Sequence, residues 1–327
     1  MSYEAFVSGT GGFAPERILT NEDFERMVDT SDEWITTRTG IKRRHVVDPG
    51  MATSEMSEHA ARLAMEEAGI EAEDIGMILV GTVTPDMALP STAALLQERL
   101  GAYNAGISDM AAACAGFLYG LATARAFVGV GQYEHVLAVG AETLTSITNY
   151  KDRNTCVLFG DGAGAAIVSR GKGKGKILSA CLRGDGRQWA DLQIPAGGSL
   201  REMEPSDLDN GRRCITMNGR EVFRHAVRGM TESAKVALRD AGLTQEDVNL
   251  FIPHQANVRI MNAVAERLGF TEDRVFKNIE EYGNTSSASV PIGLYEAHRN
   301  GRIRPGDTVL LSAFGAGFCW GSAVIQY

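Results

Sequence analysis

The sequence lacks a long hydrophobic segment and a basic leader. Its longest uncharged apolar run, residues 110–124, has 15 residues, fewer than the roughly 20 that a helix needs to cross a bilayer. The N-terminus carries the acidic Glu4 and no basic stretch followed by an apolar core, which is not the pattern of a signal peptide. We therefore expect a cytoplasmic protein that has no membrane partner.

Paired cysteines and an excess of positive charge are also missing. The five cysteines are odd in number and none has a CxxC spacing, which favours a reducing compartment over a disulfide framework. No cluster of cysteine and histidine predicts a metal site. The formal net charge is −9, with 41 acidic against 32 basic residues, which argues against general nucleic-acid binding.

The composition that is present is typical of a globular protein. The chain has 327 residues, 44% of them hydrophobic and 22% charged, enough for a large core and about two domains. The 37 glycines and 9 prolines predict tight turns and close backbone approaches. Neither glycine run, at residues 9–12 and 160–164, fits a dinucleotide fingerprint, because Pro15 follows the first and a strand-like segment follows the second.

Hydrophobic periodicity predicts alternating helices and strands. Strands are expected at residues 5–8, 75–83, 136–140, 249–253 and 309–313, with a strand–turn–strand pattern at 155–169. Helices are expected at residues 21–28, 54–68 and 91–100. The glycines at positions 69 and 101 are typical residues for ending the last two helices.

The second half of the chain repeats features of the first. Residues 68–75 (AGIEAEDI) resemble residues 241–248 (AGLTQEDV), and residues 136–140 resemble residues 309–313, both at a separation of 173 positions. The Gly-Leu pairs that begin at positions 120 and 293 have the same separation. One separation in three places indicates a duplication of an α/β unit. We predict halves 1–172 and 173–327, joined in the lysine–glycine run 171–176.

Cys114 lies in the segment DMAAACAGFLYG, residues 109–120, where an extended run leads into a long apolar stretch. A strand that feeds a buried helix fits this pattern and puts Cys114 near the first helical turn. Free N–H groups and the helix dipole favour a thiolate there, so we expect a lowered pKa. The alternative is a small buried core residue, which is the usual fate of a free cysteine and our interpretation of Cys156, Cys181 and Cys214.

Three polar or glycine-rich segments follow predicted strands or turns of the second half. His254 comes directly after the strand at 249–253, and ligands of α/β sheets bind beyond the carboxyl ends of strands. Asn284 lies in EYGNTSSAS, the counterpart of the Cys114 turn, and its amide could donate to an oxyanion. The turn FGAGF, residues 314–318, could aim backbone N–H groups into the same site. Taken singly, each residue has an ordinary alternative. His254 would be a core histidine whose hydrogen bonds are all made within the protein, and Asn284 would be an asparagine that only shapes a turn.

Together these motifs resemble one known family. They are ACAGF around Cys114, PHQANVRI around His254, GNTSSASVP around Asn284, FGAGFCWGSA near the C-terminus and DTSDEWITTRTGI at residues 29–41. The ordered set is similar to the β-ketoacyl-acyl carrier protein synthase III family of the thiolase-like superfamily, and it covers essentially the whole chain. The resemblance implies a thiolase-like α/β fold, with two duplicated halves packed in α-β-α-β-α layers.

The resemblance also implies an activity and a catalytic set. The family starts type II fatty acid biosynthesis by joining an acyl-CoA, commonly acetyl-CoA, to malonyl-acyl carrier protein, releasing CO₂ and CoA. Cys114 would carry the acyl group, and His254 and Asn284 would stabilise the enolate. The backbone N–H groups of Cys114 and Ala316 would form an oxyanion hole. Coenzyme A enters as part of the substrate, and no separate cofactor is expected.

Binding residues follow from the same resemblance. Trp34 and Arg153 would hold the CoA adenine between them, with Thr30 and Arg38 nearby. Leu89 would bound the acyl pocket of the partner subunit in a homodimer. The expected carrier-protein contacts are Gln255, Ala256, Asn257, Val258, Arg259 and Arg224. Arg228 and Arg267 would extend them into a basic docking patch.

Other functions fit the sequence less well. A thiolase has a second catalytic cysteine before its C-terminal glycine run, whereas Cys319 follows Gly315-Ala316-Gly317 here. An acyltransferase of polyketide or secondary metabolism stays open, because such enzymes use the same three residue types. A non-enzymatic thiol sensor would need Cys114 alone.

Overall fold

The computed structural model describes residues 3–171 and 173–327. Its strands are β1 (Ala5–Phe13), β2 (Ile18–Thr20), β3 (Arg43–His45), β4 (Ile75–Gly81), β5 (Gly106–Met110), β6 (His135–Thr143), β7 (Asp161–Arg170), β8 (Gly175–Gly184), β9 (Leu192–Gln193), β10 (Thr216–Met217), β11 (Leu250–Pro253), β12 (Thr308–Gly315) and β13 (Cys319–Gln326). Its α-helices are α1 (Asn21–Met27), α2 (Asp32–Thr39), α3 (Thr53–Ala68), α4 (Thr92–Leu100), α5 (Gly116–Gly129), α6 (Pro205–Asp209), α7 (Gly219–Asp240), α8 (Val258–Leu268), α9 (Ile279–Tyr282) and α10 (Ser289–Arg299).

The large sheet has nine strands in the order β11-β12-β13-β8-β1-β7-β6-β4-β5. It consists of two similar sets of strands. In the first set, β4 and β6 pair in parallel, and β7 and β1 follow in antiparallel pairing. In the second set, β11 and β12 pair in parallel, and β13 and β8 follow in antiparallel pairing. Among the described residues, two residue pairs join the sets, Phe6 with Lys176 and Val7 with Gly175. Strand β5 extends the first set and forms one end of the sheet.

Helices cover both sets in three layers. Helices α3 and α4 pack on the first set, α7 and α8 pack on the second, and α5 and α10 lie between the two. Three apolar cores fill the spaces between these layers. The predicted layered, thiolase-like α/β architecture is confirmed.

The two central helices begin at equivalent positions. Helix α5 begins at Gly116 and α10 at Ser289, 173 positions apart, and each follows a short 3₁₀ turn. Both turns start with a non-glycine residue at positive φ, 44° at Ala113 and 50° at Ser286. The division into halves at 172/173 stays a prediction, and residue 172 of the proposed junction lies outside the described residues.

The glycine run 9–12 belongs to β1, which is longer than the strand predicted at residues 5–8. A Cβ at Gly9 would lie 2.0 Å from the carbonyl oxygen of Ala64, and one at Gly11 would lie 2.0 Å from that of Ala60. Glycine here therefore lets α3 pack directly on the strand backbone.

Polar caps and glycines end the helices as the sequence signals indicate. Thr20 caps α1 through its side chain, and Gly69 and Gly101 end α3 and α4 in the left-handed conformation. Within the described residues, no helix combines the length and apolarity needed to cross a membrane.

Candidate active site

The predicted catalytic residues line one cavity. It has a volume of about 720 Å³, and Cys114, His254, Asn284 and Ala316 all form part of its wall. Cys114 comes from the turn before α5, His254 from the end of β11, and Asn284 from the turn before α10. The cavity is therefore built where the two strand sets and the two central helices meet.

A glycine allows the end of β12 to approach Cys114. A Cβ at Gly315 would lie 2.7 Å from the Cys114 nitrogen and 2.9 Å from the Ala112 oxygen. The thiol of Cys319 then bridges the same two segments, with Sγ 3.0 Å from the Ala112 oxygen and 3.1 Å from the Ala316 oxygen. These contacts fix the two peptide segments that were expected to form the oxyanion hole.

The expected lowering of the Cys114 pKa is wrong for the free protein. Cys114 is only partly exposed, and its burial raises the pKa of the thiol to about 12. The Ser286 hydroxyl opposes this change, and the negative charge of Glu142 adds to it. Desolvation of the anion thus outweighs the stabilisation expected from a helix N-terminus, and the resting group is a thiol.

His254 is buried and neutral. Its side chain is 2% exposed, and burial lowers its pKa to about 3. Nδ1 lies 2.6 Å from Ser289 Oγ, which also accepts the Gln255 N–H at 3.3 Å. Among the described contacts the Ser289 hydroxyl has no other acceptor, so we assign its proton to the bond with Nδ1. Nε2 then carries the ring proton, which makes it the donor of the imidazole.

Asn284 is held with its amide group free. The backbone N–H of Asn284 donates to the Leu158 carbonyl oxygen at 2.8 Å, and the Asn284 backbone carbonyl accepts from the Gly160 N–H at 3.0 Å. Its side-chain Oδ1 accepts from the Ser286 N–H at 2.8 Å. The Nδ2 group has no hydrogen-bond partner among the described residues. It is therefore the part of Asn284 that can donate to a ligand in the cavity.

The expected CoA residues gather at one side of the cavity. Trp34 and Arg38 line it, and the guanidinium carbons of Arg38 and Arg153 lie 4.7 and 4.9 Å from the Trp34 ring centroid. Arg153 Nη1 also donates to the Asp29 carbonyl at 2.7 Å. The buried Thr30 hydroxyl has no partner among the described residues. An adenine between Trp34 and Arg153 would have to take the place of their present contact.

The expected carrier-protein residues occupy three kinds of position: on the cavity wall, buried beneath it, and away from it. Ala256, Asn257 and Arg259 line the cavity, and Arg259 is exposed in the first turn of α8. Gln255 is 1% exposed, and its amide is bonded to backbone groups of four residues, Pro253, Phe276, Asn278 and Ile279. Its predicted contact with a carrier protein therefore disagrees with its position.

The remaining expected residues lie away from the cavity wall. Val258 starts α8 beside Gly40. Arg224 lies in α7, pairs with Glu221 and lines a second cavity of about 560 Å³ between α7 and α8. Leu89 is 86% exposed in the loop before α4.

Sequence reasoning missed most of the cavity wall. The wall includes scattered apolar residues, among them Val83, Leu144, Ile147, Val157, Phe159, Leu192, Ile215, Met217 and Phe314, and the polar residues Asn154 and Arg220. These residues share no motif or period, so only the fold brings them together. Among the described residues, no cluster of three His, Cys, Asp or Glu side chains could hold a metal ion.

A cysteine, a histidine and an asparagine that meet in one cavity of this layered α/β fold define a class, the thiolase-like condensing enzymes. The sequence profile described as 3-oxoacyl-[acyl-carrier-protein] synthase III matches residues 108–186, and the profile of its C-terminal region matches residues 238–327. The chain belongs to the β-ketoacyl-[acyl-carrier-protein] synthase III family, and it is an acyltransferase.

Full-length relatives agree with this assignment. The β-ketoacyl-[acyl-carrier-protein] synthase III of Caldanaerobacter subterraneus subsp. tengcongensis is 52% identical over 99% of this chain and 98% of its own length. That of Symbiobacterium thermophilum is 48% identical over 98% and 97%. The crystal structure of 3-oxoacyl-[acyl-carrier-protein] synthase III from Aquifex aeolicus has a TM-score of 0.90 and 42% identity, and it covers both chains fully. The predicted family, fold and function as the initiating condensing enzyme of fatty acid synthesis are confirmed.

Proposed function

We propose that this chain condenses acetyl-CoA with malonyl-acyl carrier protein, giving β-ketoacyl-acyl carrier protein, CO₂ and CoA. The observation that carries the proposal is the presence of Cys114, His254 and Asn284 in the wall of one cavity. The cysteine supplies a nucleophile, and the two other side chains supply neutral hydrogen-bond donors.

In the first half-reaction, the Cys114 sulfur attacks the acyl-CoA carbonyl. The bond from sulfur to the acyl carbon forms, the bond to the CoA sulfur breaks, and the Cys114 proton leaves with the CoA thiol. The backbone N–H groups of Cys114 and Ala316 hold the oxyanion. The pKa of about 12 for the free thiol means that the proton must leave during attack, when thioester and oxyanion hole are both in place.

In the second half-reaction, malonyl-carrier protein loses CO₂. The bond to the carboxylate breaks, and its electron pair forms an enolate whose oxygen accepts from His254 Nε2–H and Asn284 Nδ2–H. The enolate carbon then attacks the acyl carbon, the bond to Cys114 breaks, and the sulfur takes up a proton from water. The low pKa of His254 supports this role, because the imidazole stays neutral at neutral pH. It then donates a hydrogen bond to the enolate and has no acidic imidazolium proton to transfer to it.

The carrier protein is proposed to dock near α7 and α8. Arg224 and Arg267 line the small cavity between these helices, beside the partly exposed Phe223, which also borders the large cavity. Arg259 lies at the cavity wall. Carrier proteins are acidic, so a local cluster of arginines on a chain of net charge −9 offers the attraction that the whole molecule lacks. We also propose a cytoplasmic homodimer.

One observation favours a second function. The priming β-ketosynthase of the R1128 polyketide biosynthetic pathway has a TM-score of 0.92 and 35% identity over 99% of this chain. A chain of this fold can therefore serve polyketide synthesis. An acyltransferase of that metabolism that acts on free CoA thioesters would differ from the proposed enzyme in the extender that it accepts.

The test is a condensation assay with acetyl-CoA and one of two extenders, malonyl-acyl carrier protein or malonyl-CoA. We expect a β-ketoacyl product on the carrier protein and little product from malonyl-CoA. Turnover with malonyl-CoA alone would contradict the proposal and favour an acyltransferase that acts on free CoA thioesters.

A further inference from the structure

Glu142 carries a buried carboxyl group beside the active site, and the mechanism above gives this group no role. It is fully buried at the end of β6. Its Oε2 accepts from Thr82 Oγ1 at 3.2 Å, from the N–H groups of Val83 and Thr84 at 3.1 Å, and from Thr84 Oγ1 at 2.6 Å. Burial outweighs these donors and raises its pKa to about 7. The group therefore changes charge near neutral pH.

The second oxygen of Glu142 holds the turn that carries Asn284. Oε1 accepts from the Ser286 hydroxyl at 3.0 Å. Ser286 has a φ of 50°, a left-handed conformation that is unfavourable for a non-glycine residue. Its N–H donates to Asn284 Oδ1 at 2.8 Å. The bond to Glu142 thus helps to keep Ser286 in the conformation that turns the Asn284 amide to the cavity.

The turns 113–115 and 286–288 pack against each other, and Cys114 and Ser286 both line the cavity. Besides the effect of burial, the Ser286 hydroxyl lowers the pKa of the Cys114 thiol, while the Glu142 charge raises it. A hydroxyl has one proton and can donate it to the carboxylate or to the sulfur, but not to both. When Glu142 is ionised, its carboxylate takes this proton and repels a thiolate. When Glu142 is protonated, the hydroxyl is free to donate to sulfur.

No charged partner competes with this coupling in the described part of the chain. The groups that face Glu142 are Thr82, Val83 and Thr84 from the loop after β4, Ser286 from the turn before α10, and Cys114 from the turn before α5. None of the ion pairs among the described residues includes Glu142.

We propose that Glu142 is a positioning residue that acts through Ser286: it controls how readily Cys114 gives up its proton and keeps the Asn284 amide turned to the cavity. The proposal deepens the proposed function, because it takes Cys114 as the nucleophile.

The test is the rate at which iodoacetamide alkylates Cys114 in the whole protein, followed by peptide mass from about pH 6 to about pH 9, because alkylation reports the thiolate. In Glu142→Gln, the amide oxygen must face the four donors that bond Oε2 in the wild type, so the amide Nε2–H points to Ser286. It donates to the Ser286 hydroxyl oxygen, and the hydroxyl proton is then free to donate to the Cys114 sulfur. We expect alkylation on the order of 10-fold faster than wild type above pH about 7, a change of one pKa unit, and near-equal rates at the acidic end. Glu98→Gln, exposed on α4, is the matched control and should follow wild type.

A second variant keeps the test decisive if Glu142→Gln does not fold. Ser286→Ala leaves the four other bonds of Glu142 in place. It should slow alkylation below pH about 7, where the wild-type hydroxyl can donate to sulfur, and leave the rate unchanged above it. A uniform change across the pH range in either variant, or a Glu142→Gln profile that follows wild type, would overturn the proposal. The readout needs no acyl-CoA, so a failure of acylation would count against the proposed function alone.

Discussion

At the scale of single residues, Cys114 shows how burial and helix position oppose each other. The sequence predicted the location at the start of a central helix, and the structure agrees. It could not predict that burial would raise the thiol pKa to about 12, because burial depends on the turns that carry Gly315 and Ser286 from the far end of the chain. The cysteine is therefore a protected thiol until substrate arrives.

The division of labour between the catalytic residues gives the first prediction. His254→Ala and Asn284→Ala should still form acyl-enzyme but release CO₂ from malonyl-carrier protein about 10²–10³ more slowly, since each loses one donor to the enolate. Cys114→Ala should decarboxylate without condensing. Acylation followed by mass spectrometry and CO₂ release would be measured on all three variants.

The opposite pattern in His254→Ala would contradict this assignment. Loss of acylation with retained decarboxylation would make His254 the base for Cys114. That outcome has a physical basis, because a thiol with a pKa of about 12 gains more from a base than an ordinary thiol does.

The sequence located the catalytic residues but not the groups that orient them. Cys114, His254 and Asn284 could be predicted from the sequence because each lies in a short motif after a strand or before a helix. Ser289 lies in the motif GNTSSASVP, which by itself indicates no role for it. Glu142 ends an apolar strand, where a charge is unexpected. Their roles depend on contacts between strands and turns that are far apart in sequence, which no local pattern reports.

At the scale of elements, the N-terminus of α8 gives the second prediction. Arg259→Glu should weaken the use of malonyl-carrier protein and leave self-acylation by acyl-CoA nearly intact. The defect should shrink as salt rises, because screening reduces attraction and repulsion alike. Steady-state rates at several salt concentrations would test this.

The matched control is Arg239→Glu, an exposed arginine in the last turn of α7. It should leave both half-reactions unchanged. Equal loss of both half-reactions in Arg259→Glu would show that Arg259 is structural or belongs to the CoA site.

The packing of β1 against α3 gives the third prediction. Gly11→Ala would put a Cβ 2.0 Å from the Ala60 oxygen, and such overpacking typically costs about 1–3 kcal/mol. The midpoint of urea unfolding should fall accordingly. Gly198→Ala, where a Cβ would meet no atom within 4 Å, is the control. Equal midpoints for the two variants would show that α3 moves away without cost.

Element types were predicted better than element extents. The helices at 54–68 and 91–100 agree with α3 and α4 to within one residue, because periodicity and a terminal glycine agree there. The strand at 5–8 was too short, since a glycine run looks like a turn until a helix is found against it. Strands β8 and β13 were not assigned, and their place in the sheet depends on pairing with each other and with β1 and β12.

At the scale of the whole molecule, the exposed end of the sheet gives the fourth prediction. Strand β5 ends the sheet and carries Ile107, which is 39% exposed, while Leu89 nearby in sequence is 86% exposed. An exposed edge strand favours pairing with another chain. We expect a homodimer in which Leu89 reaches the partner's acyl pocket, so Leu89→Phe should shorten the accepted primer.

Sedimentation and a panel of acyl-CoA primers would measure both parts. Val130→Phe, a similarly exposed position at the end of α5, should keep the wild-type primer profile. A monomer at micromolar concentration, or an unchanged profile in Leu89→Phe, would count against the dimer and the pocket respectively.

The repeat at 173 positions explains why the site lies where it does. The turns before α5 and α10 are equivalent and share a positive φ at their first residue. One supplies Cys114, and the other supplies Asn284 and Ser286. The sequence predicted this juxtaposition through the repeat and the motifs, although it could not predict the shape of the cavity.

The most direct test of the account is the mass of the protein before and after each substrate. Incubation with acetyl-CoA should add one acetyl group, which peptide mapping should assign to Cys114, and malonyl-acyl carrier protein should then remove it with release of CO₂. Acetylation at another residue, or an acetyl group on Cys114 that persists after malonyl-acyl carrier protein is added, would contradict the account.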